Sequence, residues 1–190
     1  MYENYAIAGS GMKKMFTAEI VAIASVVILL IPILGWIVGL VGMIVGFVLS
    51  LTGLYAAGPA HANFKNAFSI TIANIVVSLI QGFMGEDSFL GAILGAVSVA
   101  LGFLVVYFVC TAAAELLNEK GDAYQADRGT LIWKMYFVCA VIAIVCSVLA
   151  VIPVIGALAA VVALIASIVE LVASILYMIF LYKASQSLLA

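Results

Sequence analysis

Formal charge is almost absent from three long stretches of this chain. From Met15 to Phe64 the only Asp, Glu, Lys or Arg is Glu19; from Asn66 to Ala114 there are only the adjacent Glu86 and Asp87; from Met135 to Tyr182 there is only Glu170. Soluble domains carry roughly 25% charged residues, whereas this chain has 8% charged and 68% hydrophobic residues. Such runs fold where water does not compete for them, so the expected class is an all-α membrane protein. The formal net charge of −2 gives no sign of a nucleic-acid partner.

A bilayer core of about 30 Å needs about 20 apolar residues per helix. Six spans are expected, at roughly 15–31, 36–57, 66–83, 89–114, 133–150 and 157–182. "MYENYAIAGSGMKK" places an acid ahead of the lysines and leads to no small-residue cleavage pattern, so the first span reads as a retained helix. The segments "IPILG", "GEDS" and "VIPVIG" read as tight turns, with Pro32 and Pro153 ending one helix and Gly35 and Gly156 admitting the next. Every basic residue (Lys13, Lys14, Lys65, Lys120, Arg128, Lys134 and Lys183) falls outside these turns. Short loops rich in Lys and Arg stay on the cytoplasmic side, which predicts both termini there. Trp133 and Tyr182 on that side and Trp36 on the other fit interfacial aromatic belts.

Small residues recur at intervals of four, three and four in three places: Gly35, Gly39, Gly42, Gly46; Gly91, Gly95, Ser98, Gly102; and Gly156, Ala160, Ala163, Ser167. On a helix of about 3.6 residues per turn each set is one stripe, and each opens the second helix of a pair. "KKMF" and "WKMYF" open the first helices of the first and third pairs. The expected architecture is therefore one transmembrane domain, residues 1–190, of three tandem two-helix hairpin repeats at about 13–58, 65–117 and 133–186. Units with an even number of spans insert the same way up, so the repeats are parallel. Small faces let membrane helices approach closely. The expected arrangement brings helices two, four and six together through their stripes, with homo-oligomer contacts or a narrow passage as alternatives.

Glu170 breaks the apolar pattern. It lies fourteen positions after Gly156 and thirteen before Lys183, about 20 Å from each along a helix rising ~1.5 Å per residue. An acid at that depth costs about 2.5 to 3.5 kcal/mol on insertion scales and is a functional candidate by default. Thr71, Asn74, Ser78 and Gln81 form a polar stripe on span three, and Asn74 lies near the calculated depth of Glu170. A polar cavity built from Asn74, Ser78 and Glu170 between spans three and six is expected to suit a cation, a proton or a small polar solute; interhelical hydrogen bonding is the plainer alternative. Glu19 and Glu115 are expected at the cytoplasmic interface, His61 in a solvated loop, and "NEKGDAYQADRG" in a longer surface connection. Cys110, Cys139 and Cys146 are expected as buried packing residues, and Glu86 and Asp87 supply too few oxygen ligands for calcium.

The stretch "LVGMIVGFVLSLTGLYAAG", followed by "NFKNAFSITIANIVVSLI", is similar to a family of small prokaryotic membrane proteins grouped as a domain of unknown function. There a glycine-rich span, a short polar link and a phenylalanine-lysine-asparagine motif introduce the next span. The resemblance covers residues 15 to 83, implies a multi-span membrane protein and brings no activity or catalytic residues with it. The span count also resembles the solute-binding membrane subunits of energy-coupling vitamin transporters, but the short apolar turns depart from a family that binds substrate near its outer face.

No P-loop, zinc-ligand set, Ser/His pair or paired carboxylates occur at useful spacing. The expectation is a non-enzymatic, multi-pass protein of the cell membrane without catalytic residues, metal or cofactor. Its expected surroundings are the lipid bilayer and a membrane-protein partner or second copy, as a structural or assembly subunit of a membrane complex. The alternative is a transport or channel component for a small solute or ion, using the mid-membrane carboxylate.

Overall fold

A computed structural model describes residues 2–29, 31, 34–84, 89–149 and 153–190. They form six helices: α1 (Tyr2–Leu29), α2 (Leu34–Ala57), α3 (Ala62–Met84), α4 (Phe89–Lys120), α5 (Ala123–Leu149) and α6 (Pro153–Leu189). Of these, α2 to α6 are long and apolar enough to cross a membrane. Helices satisfy every backbone hydrogen bond within one segment, which hydrocarbon demands. Each helix packs on its chain neighbours, and α6 returns to α1 to close a ring; the α2–α3 contact is the thinnest link.

The glycines of α2 close the seam with α1. A Cβ added at Gly35 would collide with the Ile28 carbonyl, at Gly39 with Leu29, at Gly42 with Ser25, and at Gly46 would lie 3.1 Å from the Ala18 carbonyl. Further along, a Cβ on Gly11 would lie 2.6 Å from the Gly53 carbonyl and one on Gly53 would lie 2.9 Å from that of Gly11. Backbone therefore meets backbone at Gly35, Gly46 and Gly11, while the side chains of Leu29, Ser25 and Met15 fill the space beside Gly39, Gly42 and Gly53. This corrects the expected convergence of helices two, four and six: among the described residues α2 makes no extended contact with α4 or α6, because its small face is already filled by α1. In the second stripe Gly95 and Ser98 face α3, while a Cβ on Gly102 would meet nothing within 4 Å. In the third, Ala163 is half-buried and Ser167 is exposed, with its hydroxyl bonded to the Leu164 carbonyl; of Gly156 and Ala160 only the helical backbone is described.

Packing is graded along the bundle. The buried cluster includes Tyr5, Met12, Leu54, Phe64, Leu117 and Leu181, from the end that holds both termini, the α2–α3 turn and the α4–α5 turn. Towards the other end Val26, Trp36, Ile37, Phe83 and Leu90 are exposed. Apolar side chains gain little by leaving lipid for one another, whereas helix ends beyond the bilayer are driven together by water. At 37 residues α6 is about 55 Å long, well beyond a bilayer core of about 30 Å. The tightly packed end also carries the basic residues, and α1 begins there, well before the span expected from Met15.

The expected long connection between α4 and α5 is instead a tight turn. Gly121 has φ of 91°, the left-handed conformation that glycine adopts without Cβ strain. The Asp122 N–H bonds to the Leu117 carbonyl at 2.8 Å and the Gly121 N–H to that of Asn118 at 3.0 Å, closing α4 in a Schellman motif. Asp122 then caps α5, accepting the Gln125 N–H at 3.2 Å, and takes the Ser187 hydroxyl at 2.7 Å on its other oxygen. Lys120 donates to the Ser187 carbonyl near the end of α6, where the helix dipole favours a cation. Pro153 opens α6 rather than ending α5, a place where its missing N–H costs nothing. Pro32, Glu86 and Asp87 lie outside the described residues.

Candidate functional site

Glu170 lies on the wall of a cavity of about 250 Å³ between α4, α5 and α6, with Gly102, Phe103, Tyr136, Cys139 and Ala143 among its neighbours. The missing side chain at Gly102 helps leave this space open. Tyr136 donates its hydroxyl hydrogen to the Ser174 oxygen at 2.9 Å, and Ser174 donates to the Glu170 backbone carbonyl at 2.9 Å. That chain fixes the phenol beside the cavity and leaves the Glu170 carboxyl oxygens unused. Glu170 is exposed, and its carboxyl group has no ion pair or hydrogen bond among the described residues.

Asn74 and Ser78 meet on a different surface. Ser98 on α4 donates to Asn74 Oδ1 at 2.8 Å, and the Ser78 and Ser98 hydroxyl oxygens are 3.4 Å apart. With the Ser98 hydrogen directed to Asn74, Ser78 is the donor in the second contact. Gln81, Gly95 and Ser98 line a second cavity of about 450 Å³, which shares Val99 and Ala143 with the Glu170 cavity. The two compartments adjoin, but among the described residues α3 and α6 make no extended contact. Asn74 and Ser78 therefore fasten α3 to α4 and do not touch Glu170 directly. Thr71 bonds within its own helix, to the Ala67 carbonyl at 2.8 Å.

Glu19 sits deeper in the bundle than expected. Phe16 stacks on Tyr182 with ring centroids 5.0 Å apart, and a Cβ on Gly9 would lie 2.8 Å from Leu189, which sets an antiparallel register between α1 and α6. That register brings Glu19 level with Ile179, within a turn of Tyr177. The Tyr177 and Tyr136 rings are 6.1 Å apart. The missed signal was periodic: Glu19 follows Met12 by seven and Met15 by four, and both methionines are buried. Proximity to Lys14 had pointed to the interface only because α1 was expected to begin there.

His61 is paired rather than solvated. Its Nε2 lies 2.8 Å from Glu115 Oε2, and its Nδ1 accepts the Asn63 backbone N–H at 3.1 Å. An accepting Nδ1 places the ring proton on Nε2, which donates to Glu115 while the side chain caps α3. Glu115 is thus held at the α2–α3 turn, which corrects its reading as a simple interfacial acid. Cys110, Cys139 and Cys146 are buried free thiols, as expected. Among the described residues no three His, Cys, Asp or Glu side chains are grouped to hold a metal ion.

Five helices of this length and apolar character define a multi-pass integral membrane protein. Comparison with known proteins finds no family model, no curated protein and no solved structure that matches the chain.

Proposed function

We propose that this chain is a non-enzymatic component of a membrane transport or channel system that holds a small cation or cationic solute at Glu170. The observation that carries the reading is a carboxyl group without an internal partner on the wall of a cavity between three helices. Intramembrane acids are costly and are found facing interiors or solute pathways. Tyr136 adds a polar ring edge and hydroxyl, and Glu19 a second carboxylate nearer the basic end. The reading includes six crossings as three tandem two-helix units with cytoplasmic termini. Its support is the recurring stripe in the sequence and the gathering of basic residues away from the apolar turns.

The test is thermal unfolding of the purified protein in mild detergent with sodium, potassium, magnesium and tetramethylammonium chlorides at matched ionic strength. A ligand that binds only the folded state raises the melting temperature with concentration. One of these cations is expected to stabilise the wild type and to have no such effect on Glu170→Gln. Equal responses of the two proteins to every cation would refute a site at Glu170.

The second reading is a structural or assembly subunit of a membrane complex. It is favoured by small positions left unfilled within one chain: nothing lies within 4 Å of a Cβ built on Gly82 or Gly102, and Ser167 is exposed. A partner helix or second copy would complete those faces. Native mass spectra of protein from its own membrane separate the readings: a stoichiometric protein partner or homo-oligomer that survives in Glu170→Gln supports assembly.

A further inference from the structure

The thinnest seam of the ring, between α2 and α3, opens at the basic end into a cavity of about 390 Å³ that neither carboxylate reaches. Its lining combines the apolar and aromatic Leu54, Tyr55 and Phe68 with the polar Lys65 and Ser69. The Tyr55 and Phe68 rings are 5.8 Å apart, so they form a joint wall. Lys65, Phe68 and Ser69 fall at intervals of three and one on α3 and share a face. A Cβ on Gly58 would lie 3.3 Å from Lys65 Cγ, so glycine at the turn leaves room for the lysine stem to lie across it.

The chemistry of this cleft is split in the way an interfacial lipid is split. Lys65 has no ion-pair partner among the described residues, because the acid that reaches this turn, Glu115, is engaged by His61 at 2.8 Å. Tyr55 is 73% exposed at the end of its helix, where aromatic side chains sit at headgroup depth. Basic pockets between helices on the cytoplasmic side are suited to anionic headgroups, with the ammonium and hydroxyl taking phosphate oxygens. We infer that this cleft binds one anionic phospholipid, with its phosphate on Lys65 and Ser69 and an acyl chain against Leu54, Tyr55 and Phe68. The lipid fills the gap that α2 and α3 leave between them, and it joins the α1–α2 pair to the rest of the ring. The site is independent of any solute at Glu170.

The experiment is native mass spectrometry of delipidated full-length protein titrated with phosphatidylglycerol or phosphatidylcholine, in the presence and absence of inorganic phosphate. One phosphatidylglycerol is expected to be retained in preference to phosphatidylcholine. Lys65→Gln is expected to weaken that retention about fivefold, the effect of one cation at a lipid surface. Ser69→Ala should weaken it less, and Lys14→Gln, an exposed basic residue outside the cleft, should leave it unchanged. Equal retention of both lipids by the wild type, or no change in Lys65→Gln, would overturn the inference. Displacement of the lipid by millimolar inorganic phosphate would also overturn it, by reassigning the cleft to a free anion.

Discussion

Gly11 and Gly53 meet with their backbones in contact, whereas no atom of the described residues lies within 4 Å of a Cβ built on Gly82; the same residue type therefore answers two different demands along one chain. At Gly11 a methyl group would be driven against the Gly53 carbonyl and the Ala57 side chain. Gly11→Ala is expected to force α1 and α2 apart at a cost of about 1 to 3 kcal/mol, seen as a lower melting temperature in mild detergent. Gly82→Ala is expected to be neutral or stabilising by up to about 1 kcal/mol, because it adds helix propensity without a clash. His61 offers a second test at this scale. His61→Ala removes both the α3 cap and the Glu115 contact and is expected to cost about 1 kcal/mol. His61→Asn should recover part of that, since its side-chain carbonyl can cap but cannot replace the imidazole bridge.

At the scale of elements, the α4–α5 turn shows what the sequence made legible and what it hid. Apolar runs broken by charged connections or by Pro and Gly turns located all six helices, since a bilayer permits little else. Their ends were harder to place, because helices that leave the membrane become polar without ceasing to be helical. Gly121 and Asp122 were readable as a C-cap and an N-cap, yet their mixed-charge surroundings resembled an ordinary solvated connection. Gly121→Ala would place a Cβ in the left-handed region and is expected to cost about 1 to 2 kcal/mol. Asp122→Ala removes the α5 cap together with the acceptor for Ser187 and is expected to cost about 0.5 to 2 kcal/mol. Pairing was the least legible feature. The stripes told that α2 and α4 have close-packing faces but not which neighbour fills them, so Asn74 and Ser78 were matched to Glu170 by depth although α4 intercepts them through Ser98.

For the whole molecule, the gradient from a tightly packed basic end to a looser opposite end sets the direction from which a solute would arrive. The α1–α6 register places Glu170 about two and a half turns beyond Glu19 and away from the packed end, beside the two cavities that share Val99 and Ala143. If both termini are cytoplasmic, as the basic residues predict, that cavity is approached from the outer half of the bilayer. Ala143 lies on both cavity walls, so Ala143→Cys in a Cys139→Ala background is a direct reporter. A small cationic methanethiosulfonate added outside sealed cells is expected to modify Ala143→Cys faster than an anionic reagent of similar size. Glu170→Gln should remove the preference for the cationic reagent while leaving access itself intact, because the substitution changes charge and hardly changes volume. Modification only from the cytoplasmic side would reverse the predicted orientation of the cavity. External access without any charge preference would leave the orientation standing and remove Glu170 as the group that selects the solute.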